Sequence, residues 1–188
     1  MLRGQKQLDA AGEAASRAIH LLLETGEEFL VCHSHQVLGN IYRSKGEIEK
    51  AVHHLEAALG IASSFDWRTQ LFEIHLSLVM LFFDEGRLDS AHVHAERTKS
   101  YAVNDPYSLG RAMMLQAKVL CGQYKLEEAR FEVLCAAEIF EKLEVSWGTR
   151  VCGVLLEDIR RREDGLVSSG QLGEFLHMMP LSGVHSAF

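Results

Sequence analysis

Leu38-Gly39-Asn40-Ile41-Tyr42-Arg43-Ser44-Lys45-Gly46-Glu47-Ile48-Glu49-Lys50-Ala51 is the stretch on which the fold turns. A small residue, an aromatic three positions later, a Gly and then an Ala describe one tight helical hairpin. The small residues let two helices approach closely, and Gly46 stands where a left-handed cap ends the first of them. The rest of the chain repeats this arrangement. The interval from Gly39 to Ala51 recurs unchanged from Val79 to Ala91 and from Ala117 to Ala129, with Tyr42, Phe82 and Leu120 each three positions past the first member. Such self-similarity reads as an array of stacked hairpins.

Working outward, Ile48, Ala51, Val52, Leu55, Ala58, Leu59 and Ala62 form the apolar stripe of the second helix of this hairpin. Upstream, Ala11, Ala14, Ala15, Ala18, Ile19 and Leu22 recur at helical spacing between Leu8 and Leu23. Ala11 precedes Ala51 by the same interval that separates Ala51 from Ala91, which makes this segment the second helix of a repeat whose first helix is absent. Met1 is then either a true start with an unusual cap or the start of a fragment. Downstream, Leu71, Ile74, Leu78, Val79, Leu81 and Phe82 turn at Glu85-Gly86 and return through Leu88, Ala91, Ala95 and Thr98.

Asp105-Pro106 opens a third hairpin, with Asp as cap and Pro in the first helical position. It turns near Gln123-Tyr124 and returns through Leu126, Ala129, Val133, Ala136 and Phe140; Ser146 is expected to cap a last helix. The expected organisation is a half repeat at about 5–25, hairpins at about 27–65, 67–102 and 106–143, and a last helix at about 146–163. Together these form one domain, 1–164. The segment 165–188 contains Gly165, Gly170, Gly173, Pro180 and Gly183 and reads as a partly disordered tail, with room for a short helix over Gln171 to Met179.

Forty-seven per cent hydrophobic residues with two prolines favour helix over disorder or a turn-rich sheet. A formal net charge of −7 argues against nucleic acid and acidic membrane surfaces, which call for clustered Lys and Arg. The one basic run, Arg160-Arg161-Arg162, is flanked by Glu157, Asp158, Glu163 and Asp164 and reads as a solvated helix end. The longest apolar run, Leu78 to Phe83, is far short of the ~20 residues that span a bilayer, and Met1 to Glu13 has no secretory pattern. A soluble, cytoplasmic protein is expected. Cys32, Cys121, Cys135 and Cys152 are too widely spaced for a zinc motif and read as reduced, mostly buried thiols.

The hairpins resemble the tetratricopeptide repeat, with Leu38, Gly39 and Tyr42 in the first helix and Ala51, Leu55 and Ala58 in the second at that motif's spacing. Val79, Phe82, Gly86 and Ala91 match in the second copy; Ala117, Ala129 and Ala136 match in the third, where Tyr124 replaces the turn Gly. The usual period is ~34 residues, and Ala11, Ala51, Ala91 and Ala129 recur at intervals longer than that by about one helical turn or more. Long repeats of this kind, with Phe82-Phe83-Asp84-Glu85-Gly86-Arg87-Leu88-Asp89 and Asn104-Asp105-Pro106-Tyr107, look like the repeat arrays of fungal NB-ARC and NACHT-type signalling ATPases and related repeat-only proteins. A nucleotide-binding P-loop is absent from the sequence.

The resemblance implies an all-α, right-handed superhelical solenoid of antiparallel helix pairs whose first helices line a concave surface. Its exposed inner positions fall on His33, Gln36, Asn40 and Arg43, then Glu73, Leu76, Met80 and Phe83, then Arg111, Met114 and Lys118. Leu76, Met80 and Phe83 would make an apolar stripe, and Arg43, Arg111 and Lys118 would flank it and select an acidic, amphipathic protein or peptide. The competing reading twists that stripe into the core or lays the tail over it. The histidine pairs His33/His35, His53/His54 and His92/His94 diverge on their helices and read as solvent-facing or capping, so no metal and no cofactor is expected. Cys32 beside His33 lacks an orienting third group and reads as a buried thiol. The expected function is therefore a protein-interaction scaffold or sensor module and not an enzyme. The alternatives are docking against an ATPase domain of the same protein and a helical enzyme domain completed by another chain; the uncapped half repeat is also open to self-association.

Overall fold

The computed structural model describes residues 2–102 and 104–165. Among the described residues every regular element is an α-helix: α1 (Leu2–Thr25), α2 (Glu28–Ser44), α3 (Ile48–Ser64), α4 (Arg68–Asp84), α5 (Leu88–Tyr101), α6 (Pro106–Gly122), α7 (Leu126–Lys142) and α8 (Ser146–Glu163). The expected tail, with its short helix, lies outside the described residues. No helix among them is long and apolar enough to cross a membrane.

Each short turn stops one helix and reverses the chain by the same backbone device. Gly46 sits at φ 73° and Gly86 at φ 71°, and Tyr124 holds φ 58° at the corresponding place in the third hairpin. At the first turn Glu47 N–H donates to Tyr42 C=O at 2.9 Å while Gly46 N–H donates to Arg43 C=O at 2.9 Å. These two bonds satisfy carbonyls the helix end would leave orphaned. Asp66 and Glu144 take the same left-handed conformation between hairpins, so the glycine is favoured there and is not obligatory. Asp105 caps α6 as expected, accepting from Tyr107 N–H at 3.1 Å and Ser108 N–H at 3.3 Å. Ser146 does not cap α8: it is the first residue of the helix, and Val145 occupies the cap position without a side-chain bond.

The second helices bury one stripe each. Ala51, Leu55, Ala58 and Ala62 face inward on α3, and Ala129, Val133, Ala136 and Phe140 do so on α7, at the alternating spacing of one helix face. Small residues bring the paired axes close: a Cβ built on Gly39 would come within 2.5 Å of Leu55 Cγ and 3.3 Å of Ala51 C=O. Successive helices pack on one another throughout, and α2, α4, α6 and α8 also touch in sequence, forming an inner row. On α1 the inward face is Ala15, Ile19 and Leu22, packed on Val31 and Leu38, whereas Ala11 and Ala14 are exposed. The expected alanine stripe is thus narrower than the spacing implied. Ala51 is covered by α2, the first helix of its own hairpin, and α1 has no described counterpart on that side.

Candidate functional site

The accessible part of the inner row runs along the whole of α2 and the N-terminal parts of α4 and α6. Phe29, Leu30, His33 and Asn40 on α2, Glu73 on α4, and Tyr107 and Arg111 on α6 line a groove of about 700 Å³. Its mouth is apolar, since Phe29 and Leu30 are close to half-exposed. Five of the expected inner-face residues reach this groove: His33, Gln36, Asn40, Glu73 and Arg111. Arg43, Leu76, Met80, Phe83, Met114 and Lys118 are not among its lining residues.

The expected exposed stripe is corrected by this geometry. Leu76, Met80 and Met114 are 2, 0 and 1 % exposed and belong to the main core. Gln36, Arg111 and Lys118, expected at the surface, are buried as well. The reason is position in the array: α4 is packed by α2, α3, α5 and α6, and α6 by α4, α5, α7 and α8, so little of either helix is left for solvent. Packing, the competing reading of the stripe, is what the fold adopts.

The basic flanks are corrected too. Arg111 Nη1 and Nη2 donate to Glu73 Oε1 and Oε2 at 2.7 and 3.3 Å, and the guanidinium lies over the Phe72 and Tyr107 rings. Arg43 Nη1 donates to Asp84 Oδ2 at 2.8 Å. Both charges are compensated inside the protein, which weakens them as selectors of an acidic partner. Lys118 lies 4.5 Å above the Phe83 ring. Burial pulls its ammonium down to about 8 despite the opposing pull of the Asp84 carboxylate.

Two groove side chains retain unsatisfied capacity. Asn40 Oδ1 and Arg111 Nε are buried without a hydrogen-bond partner, one an acceptor and the other a donor. Orphaned buried polar atoms cost about 1–3 kcal/mol each. The groove therefore presents apolar surface at its mouth and unused polar capacity within its walls.

Four histidines form a pattern that reading along single helices misses. His35 and His54 bring their Nδ1 atoms to 2.9 Å, and His75 and His94 do the same at 2.9 Å. Ring centroids are 5.1 Å apart in both pairs, with interplanar angles of 40° and 37°. Tyr42 stacks on His54 and Tyr101 on His75. Burial lowers all four from the usual imidazole value, reinforced in His54 by the neighbouring His35 and in His75 by His94; both fall to about 4. The expectation of solvent-facing or capping histidines is wrong for His35, His54 and His94, which pair between helices. The two pairs have the same sequence separation, and the second repeats the first one repeat length further on. That signal is present in the sequence but visible only across two helices.

Of the remaining candidates, Cys32, Cys121 and Cys152 are buried free thiols, and desolvation pushes them up to about 11, 12 and 11. Cys32 Sγ donates to Ala58 C=O at 3.4 Å, so it is a packing residue and not a nucleophile. In the basic run, Arg161 and Arg162 pair with Glu157 and Asp158 one turn earlier. Among the described residues, no three His, Cys, Asp or Glu side chains converge on a point that suits a metal ion.

No protein-family model and no curated protein matches the chain. Among solved structures, the crystal structure of BtubC (BKLC) from P. vanneervenii is similar over 87 % of this chain and 76 % of that one, with a TM-score of 0.67 and 19 % identity. At that identity the likeness carries the helical array and nothing of what it binds.

Proposed function

We propose that the chain is a protein-interaction module of the tetratricopeptide kind that seats a peptide or helical partner in the groove between α2, α4 and α6. The observation that carries this reading is the groove itself, about 700 Å³ between three helices, with Phe29 and Leu30 close to half-exposed at its mouth and the half-buried Asn40 in its wall. A peptide covers Phe29 and Leu30 with its apolar side chains, and the Asn40 side chain, by turning its unpaired Oδ1 outward, accepts from the peptide backbone. The module holds a partner and carries out no chemistry of its own. The tetratricopeptide register supports that identity, and the long repeat spacing supports its place among the arrays of fungal signalling ATPases in the cytoplasm.

Selection from a random peptide library, followed by affinity measurement on the enriched sequences, tests the proposal. Asn40→Ala and Leu30→Ala should each weaken binding about tenfold, or ~1.4 kcal/mol, the first by losing a hydrogen bond and the second an apolar contact, without moving the melting temperature. Failure to enrich any peptide, or affinities indifferent to both substitutions, overturns it.

A further inference from the structure

The two histidine pairs lie outside the groove and serve no part of the reading above. Each joins the first helix of a hairpin to the second, and the two are nearly superimposable in distance and ring geometry. The third hairpin has Met113 and Glu132 at the corresponding places, so the pairing is a property of two hairpins and not of the repeat as such. We infer that His35–His54 and His75–His94 are two chelating sites of like geometry, each taking one divalent transition ion of the Ni²⁺ or Cu²⁺ class between the two helices of its hairpin. The second is the weaker, because the Arg97 cation acts on both of its histidines.

The bite distance carries the assignment. With metal–nitrogen bonds of about 2.0 Å, as found for imidazole ligands, nitrogens 2.9 Å apart subtend roughly 90° at the ion. That is the angle between neighbouring positions in square-planar or octahedral coordination, and it is narrower than a tetrahedral site asks. Two imidazoles, with no third protein donor among the described residues, leave the other positions to water, which suits Cu²⁺ and Ni²⁺ better than a closed zinc site. His35, His54 and His94 are each partly exposed, so an ion reaches either pair from solvent.

The proton balance is simple. In the metal-free pair one Nδ1–H donates to the other Nδ1, so the two rings are opposite tautomers. When both Nδ1 lone pairs turn to the ion, through the soft χ2 torsion, the donor ring loses its Nδ1 proton to water and gains one at Nε2. No proton is released overall. The buried thiols stay protonated and do not compete for the ion.

Calorimetric titration of the full, tag-free chain with Ni²⁺ should give two ions per chain with negligible net proton release, read by repeating it in buffers of different ionisation enthalpy. His54→Gln should leave one site, and His54→Gln with His94→Gln none; His35→Gln with His75→Gln reaches the same end from the opposite helices if the first variant folds poorly. Cu²⁺ bound to the wild type should show two nitrogen ligands per ion by electron paramagnetic resonance. Two ions still bound by either folded double variant would place them on other side chains and overturn the inference, as would no binding at micromolar concentration.

Discussion

Helix α2 and helices α4 and α6 hold the same place in successive hairpins, yet α2 keeps a polar flank open to the groove while α4 and α6 are enclosed almost all round. Six residues of α2 are buried, against eleven on α4 and eleven on α6. Register does not explain the difference, since Asn40, Met80 and Lys118 occupy one repeat position and Gln36, Leu76 and Met114 another. Neighbours do. Helix α4 lies between two inner helices, α2 and α6, whereas α2 meets one, α4, and has the outer-type helix α1 on its other side. Among the described residues, the inner surface read from the repeat motif is thus most open on the helix with a single inner neighbour.

The sharpest way to break this contrast is to substitute the same repeat position in both places. Met80→Ala should cost about 2–5 kcal/mol, the range for truncating a fully buried methionine, whereas Asn40→Ala should stay within about 0.5 kcal/mol. Urea midpoints of the two variants measure it; equal, small effects would show that α4 is not enclosed.

The ion pairs give a second contrast. Arg111→Ala leaves the Glu73 carboxylate without its bidentate partner in a largely closed setting, and a loss on the order of 3 kcal/mol is expected. Arg43→Ala removes the partner of Asp84, whose side chain is 41 % exposed, and should cost less than about 1 kcal/mol. Similar midpoints for the two would deny the difference in environment.

Gly39 and Ala117 sharpen the comparison within a hairpin. Both hold the close-approach position, but at Gly39 a Cβ would collide with Leu55, so Gly39→Ala should destabilise by about 1–3 kcal/mol although the fold buries the same methyl at Ala117. A neutral thermal melt would mean that α2 and α3 have room to separate.

A further effect is pH-dependent. The folded-state values of His54 and His75 lie near 4, below the ordinary imidazole value of 6.5, so the neutral form is the one the fold holds. Their contribution is complete above about 6.5 and is lost as pH falls toward 4, because the unfolded chain takes up protons first. Melting temperature should therefore decline across that window in the wild type. The decline should be shallower in His54→Gln with His94→Gln, where two of the four buried imidazoles are gone and His75 keeps its burial without the neighbouring His94.

The sequence by itself determined the helices and their punctuation. Alanines recurring at the repeat interval, Gly46 and Gly86 at left-handed turns, and Asp105-Pro106 at the start of α6 are local signals, and backbone sterics and hydrogen bonding act on them locally. The cap expected of Ser146 failed because the chain closes that turn by backbone bonds alone. Of the groove's lining, His33, Gln36, Asn40, Glu73 and Arg111 fall at inner positions that the repeat register marks, although Gln36 and Arg111 are buried in its wall. Only the tertiary structure decided the fate of Leu76, Met80 and Met114, since burial depends on how many helices surround a residue and not on its place in a repeat. The tertiary structure likewise made the histidine pairs, because their partners lie on different helices and meet only when a hairpin closes.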